Sequence, residues 1–119
     1  MPQIKPVEAV TMLPYPFMPP GTYGNDYAFG NCTQLAASMV AVPNSLGNAN
    51  VWDDQAPIVT TIPVVGMIAQ TDAGWAGHVA VVTAINGDGT VTVTEANYYG
   101  FNVVDTRVTP VTDWVYLYF

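Results

Sequence analysis

An α+β fold is the class this 119-residue sequence predicts, one helix followed by an antiparallel sheet of about five strands. Three observations predict it. The run from Cys32 to Val40 contains no glycine or proline and precedes every strand-like stretch. From Pro63 onward the apolar pattern changes to that of β-strands rich in Val and Thr. Between two such strands stands Asn86-Gly87-Asp88-Gly89, a hairpin signal that makes its neighbours antiparallel.

Taken in order, the chain opens on a proline-rich arm, residues 1–22, with six of the ten prolines in the first twenty positions. Proline supplies no backbone donor, so the arm is expected to be extended and to pack through Met12, Leu13, Tyr15 and Phe17. Residues 23–119 form the domain proper. Asn31 is a good N-cap, and Leu35, Ala36, Met39 and Val40 share one helical face, so a helix from Cys32 has a side to bury before Pro43 ends it. A second short helix is expected over Ala49–Gln55, anchored by Trp52. Strands are expected at Val64–Gln70, His78–Ile85, Thr90–Asn97, Val103–Val108 and Asp113–Phe119.

Composition excludes several classes. A net charge of −7, with only Lys5 and Arg107 as cations, argues against nucleic acid and anionic membrane as direct partners. No stretch is long and apolar enough to insert in a bilayer, and the N-terminus lacks the apolar core of a secretory signal. One cysteine and one histidine rule out a disulfide framework and make a zinc site of the usual nitrogen–sulfur kind a poor fit.

That cysteine stands where a loop turns into a helix, so unpaired N–H groups and the helix dipole favour its thiolate. A lone cysteine also reads as a small buried hydrophobe. What distinguishes the two readings is a base. With Asn86 opposite Gly89, Ile85 faces Thr90, Val82 faces Val93, Ala80 faces Glu95 and His78 faces Asn97. Directly opposed Cβ atoms lie about 4.5–5.5 Å apart, and residues two apart share a face. The only histidine therefore has Asn97 across from it and Glu95 on the diagonal, either able to orient the ring. A satisfied half-buried His–carboxylate pair would look the same. A thiolate facing an oriented imidazole is, however, the layout of nucleophilic acyl transfer.

Four stretches resemble the CHAP domains (cysteine- and histidine-dependent amidohydrolase/peptidase), a branch of the papain-like NlpC/P60 group found in phage endolysins and bacterial wall hydrolases. Asn25-Asp26-Tyr27-Ala28-Phe29-Gly30-Asn31-Cys32-Thr33 is similar to the nucleophile segment, and Leu46-Gly47-Asn48-Ala49-Asn50-Val51-Trp52 to a Gly-Asn-Ala…Trp element. Pro63–Ala69 resembles the strand before the histidine, and Gly77–Val82 with Asn86–Val91 and Glu95–Tyr98 the catalytic hairpin. The resemblance implies a papain-like fold with Cys32 as nucleophile, His78 as base, Glu95 as its orienting partner and Asn97 as a further polar member. It implies peptidoglycan as substrate, cut as an endopeptidase or N-acetylmuramoyl-L-alanine amidase cuts it, in a phage endolysin or virion-associated lysin. Asn25 matches a polar position of the motif and is carried as a substrate-binding residue. Where the family has Gln before the nucleophile, this chain has Asn31.

Some relatives carry an aspartate-rich calcium loop before the cysteine. Here Asp26 and its neutral neighbour Asn25 supply too few hard ligands, so no cofactor is expected, and Asp53 and Asp54 are read as solvated surface. Trp75, Tyr98, Tyr99 and Phe101 flank His78 and Asn97, as a groove that grips the glycan or stem or as packing residues. The acidic charge predicts repulsion from anionic walls, so targeting is expected from a partner chain, a phage particle or a longer parent protein. Without a signal sequence, the host cytoplasm before release, or a virion, is the expected location. A non-catalytic wall-binding phage module and a thiol amidase or protease on another substrate are the competing readings.

Overall fold

The computed structural model describes residues 15–119. Among the described residues the one α-helix, α1, spans Cys32–Met39. The sheet has six strands: β1 Ile58–Thr60, β2 Ile68–Thr71, β3 His78–Ile85, β4 Thr90–Ala96, β5 Val104–Pro110 and β6 Val115–Tyr118. They lie in the order β1-β6-β2-β3-β4-β5, and every neighbouring pair is antiparallel. Strand alternation gives the sheet two buried faces. Ile68, Val79, Val81 and Leu117 meet Leu35, Ala36 and Met39 of α1 and the fully buried Trp52. Met67, Ala69, Ala80, Val82, Val91 and Val93 build the opposite face with Trp114 and Tyr116. Each such large side chain contributes roughly 1.5–3 kcal/mol by leaving water.

Several expectations are corrected. The sheet gains a sixth strand because Ile58–Thr60 pairs with β6 at the edge. The strand expected from Val64 begins only at Ile68, because residues 64–67 turn, with the Met67 N–H donating to the Val64 carbonyl at 3.0 Å. The second helix shrinks to one 3-10 turn, Ala49–Val51. Asp53 is buried rather than solvated, since the Gln70 amide reaches across to it and to Asp72.

The hairpin between β3 and β4 also differs from expectation near its turn. The Asn86 N–H donates to the Thr90 carbonyl at 3.1 Å, so the loop is Gly87-Asp88-Gly89, with positive φ at both glycines. Ile85 consequently pairs with Val91 and Ala84 with Thr92. A bulge at Thr83 then restores the expected pairs, Val82 with Val93 and Val81 with Thr94. The two irregularities cancel before the chain reaches His78.

Of the arm, Met12 and Leu13 lie outside the described residues. Residues 15–22 contain no helix or strand but are fastened to the domain. Tyr15 stacks on Tyr118 at 3.6 Å, and Phe17 remains exposed. The N–H groups of Met18 and Tyr23 satisfy the carbonyls of Met39 and Ser38 at the end of α1. Those are carbonyls that the helix leaves without partners.

Candidate active site

Cys32 is the first residue of α1, half-buried against the core below it. Asn31 occupies the N-cap position, but its side chain makes no capping hydrogen bond. Instead its Oδ1 accepts from Asn97 Nδ2 at 3.2 Å. What brings Asn97 there is the loop after β4. The Asn102 N–H donates to the Gly30 carbonyl at 3.0 Å, and the Phe101 ring lies over Gly30. A Cβ on Gly30 would stand 2.4 Å from that ring, and φ is +83°, so this position takes only glycine without strain. Asn97 itself has φ 62°, a left-handed conformation that asparagine tolerates better than most residues.

His78 is the first residue of β3 and falls on the Ala80–Val82 face. The turn before it is held by Asn50, whose N–H donates to the Ala76 carbonyl at 2.9 Å and whose side chain donates to the Trp75 carbonyl at 3.2 Å. At Gly77, φ +73°, a Cβ would lie 2.7 Å from the Asn50 backbone nitrogen, so the absence of a side chain permits this closure. The ring's Nε2 is 2.7 Å from Glu95 Oε1. With Nε2 so engaged, Nδ1 is the nitrogen left to address Cys32, whose thiol lines the same cleft and acts on the ring's proton affinity. The imidazole thus stands between the helix start and the carboxylate, with Cys32 on the cleft it shares with His78 and Glu95 on its other nitrogen.

Glu95 is wholly buried, 0 % exposed, and is supported from β5. Arg107 grips it with both arms of the guanidinium: Nε donates to Oε2 and Nη2 to Oε1 at 3.2 Å. The guanidinium carbon lies 3.7 Å from the centre of the Tyr98 ring and 5.5 Å from that of Trp114. Asp105 sits directly across from Glu95 in the β4–β5 register, its buried oxygens lacking any N–H or O–H donor. The neighbouring Glu95 carboxylate disfavours the ionised form of Asp105 at this position.

The electrostatics follow from this packing. Burial alone would lower the pKa of His78, but hydrogen bonds and charge attraction from Cys32 and Glu95 outweigh it and raise the imidazole to about 9. Burial likewise pushes Glu95 upward, yet hydrogen bonds from His78, Arg107 and Asp105 hold it below the usual carboxylate range. Asp105 has the opposite fate: burial and the neighbouring Glu95 carboxylate raise it to about 6.

Two clefts meet at His78. The first, about 290 Å³, is lined by Asn31, Cys32, Asn48, Trp75, His78 and Asn97. The second, about 580 Å³, runs over Thr71, His78, Tyr98, Arg107, Asp113 and Trp114, and also reaches Asn97. The fold thus brings together Cys32, His78, Glu95 and Asn97, with Trp75 on one rim, 89 % exposed, and Tyr98 in the second cleft. Tyr99 lines neither and packs edge-on against Tyr98 at 4.9 Å. Asn25 is not brought to the clefts: its amide donates to the Gln34 carbonyl and its Oδ1 accepts from the Tyr27 N–H, so both ends are engaged in holding the loop.

Asn97 was expected across from His78; its amide turns to Asn31 instead, leaving Glu95 as the group on the ring. Sequence reasoning missed Arg107 and Asp105. The available signal was two charged residues spaced two apart on a predicted strand of a chain with few charges. Among the described residues, no three His, Cys, Asp or Glu side chains lie close enough to hold a metal ion, and Asp26 accepts a hydrogen bond from Ser45.

A family described as the CHAP domain matches residues 22–97, and the chain belongs to that family. The probable autolysin LDP of Staphylococcus aureus (strain NCTC 8325 / PS 47) is 46 % identical over 93 residues, covering 71 % of this chain and 33 % of its own length. The N-acetylmuramoyl-L-alanine amidase sle1 of Staphylococcus epidermidis (strain ATCC 35984) is 36 % identical over 91 residues, 69 % of this chain and 28 % of that protein. This chain therefore spans about a third of the length of these relatives. A crystal structure of an N-acetylmuramoyl-L-alanine amidase from Staphylococcus aureus shares the fold at TM-score 0.67. It is 22 % identical and covers 75 % of this chain and 30 % of that one.

Proposed function

We propose that this domain is a thiol-dependent hydrolase that cleaves amide bonds of peptidoglycan, with Cys32 as nucleophile, His78 as acid and base, and Glu95 as the group orienting His78. The observation that carries the proposal is the line Cys32–His78–Glu95 opening into a cleft beside a helix start. The names of the relatives, an autolysin and an amidase, supply the substrate class.

In the proposed reaction, Cys32 Sγ attacks the scissile carbonyl carbon, and its electrons move onto the carbonyl oxygen. The Cys32 N–H at the start of α1 and Asn31 Nδ2 stabilise that oxyanion. Asn97 contributes by occupying Asn31 Oδ1, which leaves the Asn31 NH2 group as the end of this cleft-lining side chain able to donate. The imidazolium passes its Nδ1 proton to the departing nitrogen as the C–N bond breaks, giving a thioester on Cys32 and a free amine. Water, deprotonated by His78, then attacks the thioester and releases a carboxylate, restoring the thiolate–imidazolium pair. The shorter Asn31 in place of the family's Gln fits this scheme, because Asn97 reaches over to fix it.

As to the bond, the proposal is the N-acetylmuramoyl-L-alanine linkage, the bond in the relative's name, with a peptide-stem or cross-bridge linkage as the alternative. Trp75 and Tyr98, on the rims of the two clefts, are the proposed contacts to the glycan and stem. The setting proposed is a wall lysin, phage-borne or autolytic, delivered by another chain, a phage particle or a longer parent protein, since a charge of −7 is repelled by anionic wall polymers. Mass spectrometry of fragments released from purified sacculi tests this. Stems with a new N-terminal alanine support the amidase reading, and new amines within stem or bridge support the alternative. Release of no amine at all refutes both.

A further inference from the structure

Glu95 is a fully buried carboxylate whose two oxygens have different duties. Oε1 addresses His78 Nε2 at 2.7 Å and also accepts from Arg107 Nη2 at 3.2 Å, while Oε2 accepts from Arg107 Nε. A buried carboxylate is stable as an anion only when its desolvation is offset by charge and hydrogen bonds. The groups that face it are His78 from β3, Asp105 and Arg107 from β5 and, through His78, Cys32 from α1. Of these, Arg107 is the one permanent cation, since His78 can lose its proton and Asp105 adds no positive charge. Its fork also fixes the carboxylate plane, and with it the direction in which Oε1 meets the imidazole. The guanidinium in turn lies over the rings of Tyr98 and Trp114.

We propose that Arg107 is a positioning residue for this site: through its two-armed grip on Glu95 it keeps that carboxylate ionised and aimed at His78, and so sustains the thiolate–imidazolium pair at Cys32. The proposal rests on the reading of Cys32, His78 and Glu95 as one catalytic line. Nothing in it requires Arg107 to touch substrate. Its effect runs from β5 to β4 to β3 and ends at the helix start.

Alkylation of Cys32 by iodoacetamide, followed against pH, tests it without any wall substrate, because the chain has only this cysteine. The variants are Arg107→Met, which keeps an aliphatic stem without the charge, Arg107→Lys, which keeps the charge without the fork, and Glu95→Gln. At pH 6 the wild type should react at least about tenfold faster than Arg107→Met, the ratio expected if the imidazole partner weakens by one pH unit. Arg107→Lys should fall between them. Adding Arg107→Met to Glu95→Gln should produce no further loss, since the path through Glu95 is already cut; a purely structural role would lower the double variant again. Folding is checked by near-ultraviolet circular dichroism, and if Arg107→Met does not fold, Arg107→Lys carries the decision. Wild-type profiles in the folded Arg107 variants, or a full further loss in the double variant, overturn the proposal. A wild-type thiol no more reactive at pH 6 than a free one overturns the catalytic line itself, and this proposal with it.

Discussion

The prediction that reaches furthest into the site is the removal of one charge, Glu95→Gln. His78 is raised from 6.5 to about 9 although burial works against protonation. That rise corresponds to roughly 3 kcal/mol in favour of the imidazolium, at about 1.4 kcal/mol per pH unit. Cys32 and Glu95 are the two partners that supply it. Gln keeps the acceptor oxygen and removes the charge, so about half the effect should vanish and the midpoint should fall by about one pH unit or more. His78 is the only histidine, so the proton on its Cε1 gives one resolvable resonance in a magnetic resonance titration. The wild type should titrate near pH 9 and Glu95→Gln well below it. The sign for stability follows: a histidine whose folded value lies above its unfolded one contributes fully below about pH 6.5 and loses that contribution as pH rises through about 9. A wild-type midpoint near 6.5, or a Glu95→Gln curve that superimposes on the wild type, would refute the reasoning.

Three further predictions follow from the same contacts. Asp105 has a folded value raised from 3.8 to about 6, so its ionised form costs stability above pH 6; Asp105→Asn should raise the unfolding free energy by about 1–2 kcal/mol at pH 8, after allowance for solvent screening, and little at pH 4, as read by urea unfolding. Gly30→Ala drives a methyl group into the Phe101 ring at a positive φ and should destabilise by about 1–3 kcal/mol, seen as a lower thermal midpoint. Asn31→Ala and Asn97→Ala should each lower kcat on a wall substrate by about tenfold to a thousandfold with little change in KM, and the double variant should fall no lower than Asn31→Ala, because Asn97 acts through Asn31.

What could be read from the sequence depended on the range of the interaction. Helix α1 and strand β3 start where local pattern puts them, at Cys32 and His78, because an uninterrupted run and a clean alternation are local signals. The meeting of His78 and Glu95 was also legible, although the turn holds three residues instead of two. The bulge at Thr83 takes up the extra residue, so face and register are recovered before the site. The first strand escaped notice because three residues, Ile58–Thr60, show no alternation, and only pairing with β6 makes them a strand. Arg107 and Asp105 escaped for a different reason. The loop over residues 97–103 is longer than a two-residue hairpin turn, and its closure by the Asn97 N–H on the Val103 carbonyl is visible only in the fold, so local pattern does not align β5 against Glu95. Asn31 shows the same limit: its N-cap position is local, whereas the turn of its side chain towards Asn97 depends on that distant loop.

The central claim, that Cys32 is the nucleophile of an amide hydrolase, is tested most directly by amine release from purified sacculi, wild type against Cys32→Ala. Alanine keeps the Cβ at this half-buried helix start and removes only the sulfur, so both proteins should be folded and directly comparable. Steady appearance of new amines with the wild type, and none above background with Cys32→Ala, is the predicted result. Equal release by the two proteins would contradict the account.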